Sequence, residues 1–80
     1  MILVDIQLLQ LGEVYDFELD DSKKTDELIA EIVTLICKKE NIKPGEKSYY
    51  LYAMNKACIL TGNLSLGEQG IRDGERLVLI

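Results

Sequence analysis

A single helical stripe set between alternating segments constrains this chain more than any other feature. From Thr25 onward, Leu28, Ile29, Ile32, Val33, Leu35 and Ile36 recur at helical spacing and cover one wide face. Asp26 and Glu27 stand at the expected N-terminus and Lys38 and Lys39 near the C-terminus, where the helix dipole favours each sign. Thr25 reads as the N-cap, Asn41 as a left-handed stop and Pro44 as a bar to continuation. On either side the period changes to two. Ile2, Val4, Ile6 and Leu8 point one way, with Leu3, Asp5, Gln7 and Leu9 opposite. After a turn at Gly12-Glu13, Tyr15, Phe17 and Leu19 alternate with Asp16, Glu18 and Asp20, completing an N-terminal hairpin. Residues 48–54 read as a third strand carrying three tyrosines, and Ala57 to Leu60 as a short fourth. Leu64 to Gly67 suits one turn of 3₁₀ helix, and Gly70 to Gly74 a compact turn anchored by Ile71. Gly67, Gly70 and Gly74 read as positions needing positive φ. Leu77 to Ile80 is wholly apolar and suits a central strand. One helix cannot bury its stripe alone, so the expected class is α+β. The order is β-β-α-β-β-(3₁₀)-β, one mixed sheet with one helix across one face, in a single domain over residues 1–80.

Composition removes several functions. The 80 residues include no His and no Trp, so the commonest general base and metal ligand is missing. Nine Lys and Arg against fourteen Asp and Glu leave a net charge of −5, which argues against nucleic acid and anionic lipid as partners. No apolar run is long enough to span a membrane, and the opening MILVDIQLLQLGEV lacks the basic start of a signal peptide. Cys37 and Cys58 lie outside any CxxC pattern. They read as buried free thiols of a reducing, cytoplasmic compartment rather than as a disulfide. Ser22, Ser48 and Ser65 have no base nearby in sequence, so no nucleophile–base pair assembles. The expectation is no enzyme, no metal and no cofactor.

The element order at this length resembles the β-grasp fold of ubiquitin. Two segments carry the resemblance locally: KKENIKPGE at the helix end, and Leu66 to Leu77 with its GIRDG turn before the last strand. In this form the tail is most similar to the small bacterial ubiquitin-like proteins of the YukD/EsaB type, which belong to type VII secretion systems of Gram-positive bacteria. The resemblance implies a non-catalytic protein-interaction module, an accessory or regulatory component of such a system. Conjugating relatives close with a flexible Gly-Gly tail, whereas this sequence reaches Ile80 inside its last strand. Neither conjugation nor thiocarboxylate chemistry is expected, provided Ile80 is the natural end. Two other readings stay open: a sulfur carrier or modifier truncated before a Gly-Gly tail, and a ubiquitin-like domain excised from a larger secretion-channel subunit. The reading frame separates them.

The resemblance also makes the third and last strands neighbours. If Tyr49, Leu51 and Ala53 face the helix, then Tyr50, Tyr52 and Met54 face outward. Leu77 and Leu79 are then inward, with Val78 and Ile80 outward. These five outward side chains, joined by Leu3, are expected to form an apolar and aromatic patch for a protein partner, secretion-system components among them, or for a second copy. The competing reading is a face partly covered by loops and lysine stems. The acidic run Asp16, Glu18, Asp20 and Asp21 reads more simply as a solvated strand edge than as a site for a basic partner.

Overall fold

The computed structural model describes residues 1–9, 12–41, 45 and 48–80. Pro44 and its expected role in stopping the helix lie outside the described residues. Among the described residues five strands and one helix follow in the expected order: β1 Ile2–Leu8, β2 Val14–Leu19, α1 Thr25–Lys39, β3 Leu51–Ala53, β4 Cys58–Ile59 and β5 Arg76–Leu79. The sheet order is β2-β1-β5-β3-β4. β1 and β5 pair in parallel at the centre, and the other neighbours are antiparallel. β5 is flanked on both sides, which is where a strand of uninterrupted apolar residues belongs.

The core lies between α1 and one sheet face. Leu28, Ile29, Ile32 and Ile36 come from the helix; Val4, Ile6, Leu8, Leu19, Leu51, Ala53, Leu77 and Leu79 come from the strands. Leu60, Leu66 and Ile71 enter it from the chain between β4 and β5. Leu35 stays exposed, so the helical stripe is narrower than its spacing predicts.

Three local expectations change. Thr25 is the first helical residue rather than the cap, and Lys24 precedes it with no capping side chain. Thr25 is fully buried. Its hydroxyl donates to the Leu64 carbonyl at 2.7 Å and accepts from Gln69 Nε2 at 3.0 Å, so it ties the helix start to the β4–β5 connection. That connection is a run of turns with i→i+3 bonds, Gln69 N–H to Leu66 O and Gly70 N–H to Gly67 O, rather than a 3₁₀ helix. Ser65 and Glu68 bond reciprocally there at 3.0 Å in both directions, the arrangement of a capping box. Gly67 is not among the residues with positive φ, unlike Gly70 and Gly74. A Cβ at Gly67 would stand 3.2 Å from the Asp21 carbonyl oxygen, so close approach rather than handedness favours glycine there. Asn41 adopts the expected left-handed conformation after the helix, at φ 56°. Ala57 lies in a left-handed turn rather than in β4.

Candidate interaction surface

The face of the sheet away from the helix is ordered by register into rows. Backbone bonds between Tyr50 and Ile80 run both ways, at 3.0 and 2.9 Å, and Leu9 N–H donates to Leu79 O. The first row is therefore Leu9, Ile80 and Tyr50. The second crosses all five strands: Val14, Gln7, Val78, Tyr52 and Ile59. The third is Asp16, Asp5 and Arg76, with Met54 beside Arg76. Residues paired across neighbouring strands share a face, so these side chains stand side by side.

Tyr50 and Met54 are each 51% exposed, while Tyr52 and Ile80 are half-buried. Val78 projects to this face, yet it is only 7% exposed. It pairs with Gln7 on one side and Tyr52 on the other, and a small β-branched side chain between two longer ones has little surface left. Val78 is thus the floor of the patch rather than a contact. Leu3 is exposed but stands apart from the tyrosines. Its strand neighbours are Glu18 and the Asp73-Gly74 turn, and the charged third row intervenes. Leu9, Val14 and Ile59, all exposed, occupy the place the sequence reading gave to Leu3. Alternation reveals the outward direction of Leu9, whereas those of Val14 and Ile59 follow from their pairing with Gln7 and Tyr52. Their nearness to the tyrosines follows only from strand order.

Charge bounds the patch on one side. Arg76 pairs with Asp5 at 3.5 Å. Asp16 faces Asp5 across β1–β2. A hydrogen bond with Asp5, reinforced by its negative charge, holds the Asp16 carboxyl above the usual range. On the helix side, Tyr15 donates to Glu40, and Lys39 lies over its ring at 4.6 Å from the centroid. The bond to Glu40 leads in pushing the Tyr15 hydroxyl up to about 12, with desolvation and the charges of Glu40 and Glu13 adding to it.

Cys58 is exposed and Cys37 half-buried, which corrects the expectation of two buried thiols; both are free. Among the described residues no group of His, Cys, Asp and Glu is placed to hold a metal ion, and no helix is long and apolar enough to cross a membrane. The hollow of about 580 Å³ between α1 and Gly45, Ser48, Tyr49 and Tyr50 is an open groove rather than an enclosed site.

A family model described as the WXG100 protein secretion system (Wss) protein YukD matches residues 3–79. No curated protein matches the sequence. Among solved structures, the EccD5 ubiquitin-like domain from Mycobacterium xenopi is similar at a TM-score of 0.72 and 23% identity, over 99% of this chain and 91% of that one. The ubiquitin-like domain of the Mycobacterium tuberculosis type VII secretion system protein ECCD1 gives 0.72 at 17% identity, over 100% and 99%. A chain of the MycP5-free ESX-5 inner membrane complex gives 0.77 at 19% identity; this chain spans only 20% of its length. Such likeness establishes a ubiquitin-like β-grasp fold, and function has to be argued from the surface.

Proposed function

This chain belongs to the YukD family of the WXG100 protein secretion system, and from that premise we propose that it is a non-catalytic docking module of type VII secretion, acting in the cytoplasm by presenting the outer face of its sheet to another protein. The observation that carries the reading is the patch made by Tyr50, Tyr52, Met54 and Ile80 over Val78, extended by Leu9, Val14 and Ile59. Tyrosine supplies rigid area and a hydroxyl at little entropic cost, and patches of this kind mark interaction sites. The Arg76–Asp5 pair at the border supplies orientation, since rim charges steer a partner more than they hold it. Regulation rather than chemistry is the proposed contribution, because the patch offers contact area and, among the described residues, no paired nucleophile and base.

The test is co-purification with the type VII secretion membrane complex of the source organism. Tyr50→Lys with Tyr52→Lys is expected to abolish it while circular dichroism stays unchanged. Tyr50→Lys with Met54→Lys, both well exposed, serves where the half-buried Tyr52 disturbs folding. Full retention by folded variants would remove this face as the docking site.

A further inference from the structure

β2 is an edge strand of the sheet, and among the described residues no strand pairs with its outer side. The direction of its backbone groups follows from those of β1. Leu3 N–H bonds Asp73 Oδ1 at 2.6 Å, Asp5 N–H bonds Glu75 O at 3.1 Å and Leu9 N–H bonds Leu79 O at 3.3 Å, so the odd residues of β1 address the β5 side. The even residues therefore address β2, and Leu8 N–H does so at Glu13 O. Ile6 opposes Tyr15 and Val4 opposes Phe17 in that ladder. Val14, Asp16 and Glu18 consequently turn their N–H and C=O groups away from the sheet. Among the described residues no backbone group meets them.

Proteins guard such edges with shortness, Pro, Lys or a bulge. β2 has none of these: it runs six residues, pairs one-to-one along its length and contains neither Pro nor Lys. Its guard is negative charge alone. Glu13, Asp16, Glu18, Asp20 and Asp21 supply five carboxylates between positions 13 and 21, with no cation among them. That charge selects an occupant rather than closing the edge. A second copy would bring two acidic rows together, which excludes β2–β2 pairing. A basic strand would be drawn in. On the other side of β2, Tyr15 and Phe17 are half-buried and meet edge to face at 6.4 Å, leaving aromatic surface for alternate apolar residues to cover.

We propose that the open edge of β2 takes an extended segment of another protein as a sixth strand, with Lys or Arg opposite Asp16 and Glu18 and apolar residues against Phe17. Ladder bonds hold the segment and alternate side chains select it. An incoming cation also relieves the crowding of Asp16 by Asp5. The site borders the tyrosine patch at Val14, but its ladder groups lie on the far edge of β2, with β1 and β5 between it and the tyrosines of β3, and it does not depend on the function proposed above.

The probe is an end-blocked seven-residue peptide of alternating Lys and Val, titrated into ¹⁵N-labelled protein. Shift changes centred on Val14, Asp16 and Glu18, with new exchange protection at the Asp16 and Glu18 amides, are expected. The matching Glu–Val peptide should not bind. N-methylation of alternate peptide nitrogens, or Asp16→Lys with Glu18→Lys in the protein, should weaken binding at least about tenfold. Glu18→Lys alone should weaken it too and serves if the double variant misfolds. Absence of binding, shifts centred on Tyr50 and Tyr52, or undiminished binding of the N-methylated peptide would each overturn the proposal.

Discussion

Gln69 joins three parts of the chain through one side-chain amide. Its Oε1 accepts the Thr61 N–H at 2.6 Å, and its Nε2 lies 3.0 Å from Thr25 Oγ1, 3.0 Å from Thr61 O and 3.2 Å from Ser65 O. Gln69→Ala is expected to lower stability by about 1–2 kcal/mol, measured by urea unfolding, because buried Thr25 loses a partner. Nothing in the sequence marks this residue. A lone Gln in a polar loop becomes a connector only when residues 44 positions apart meet. Ala57 offers the opposite sign: its φ of 51° suits glycine, so Ala57→Gly should raise stability by about 0.5–1 kcal/mol in the same assay. Tyr15 should titrate near 12 by ultraviolet difference spectroscopy, and Glu40→Gln should bring it toward its ordinary value of 10.0. The folded-state pKa lies above the unfolded one, so this contribution is fully present below about pH 10 and fades as pH rises toward 12.

At the scale of elements, the hairpin was readable because alternation alone sets which side chains share a face. What alternation does not set is who stands opposite whom. The register places Asp16 directly across from Asp5, a like-charge pair that destabilises the strand pairing when both are ionised. The Asp16 carboxyl is raised in the folded state, so the folded protein holds its proton to higher pH than the unfolded chain. This group's contribution therefore falls as pH rises through the carboxylate range and stays unfavourable at neutral pH. Asp16→Asn should raise the melting temperature at pH 7, with the gain shrinking as pH is lowered through that range. The β4–β5 connection was less legible. Leu66 is fully buried and Ile71 nearly so, although neither lies in a strand or helix. Leu66→Ala should cost about 2–5 kcal/mol by urea unfolding, as for a core strand residue.

As a whole the molecule is two layers, with the helix closing one side of the sheet and the other side left bare around its tyrosines. Stability and docking should therefore separate. Ile32→Ala in the core is expected to cost about 2–5 kcal/mol, whereas Tyr50→Lys or Met54→Lys should change stability by no more than about 0.5 kcal/mol. A calorimetric scan of the three variants checks this. The sequence by itself determined the order of elements, the helix that covers one face and the alternation of side chains along the N-terminal hairpin, because periods of 3.6 and two are properties of the local backbone. The tertiary structure alone decided that Leu9, Val14 and Ile59 adjoin the tyrosines, that Arg76 and Asp5 cut Leu3 off from them, and that Val78 is covered. Those facts depend on lateral neighbours, which are set by pairing between strands distant in sequence and leave no periodic trace in any one of them.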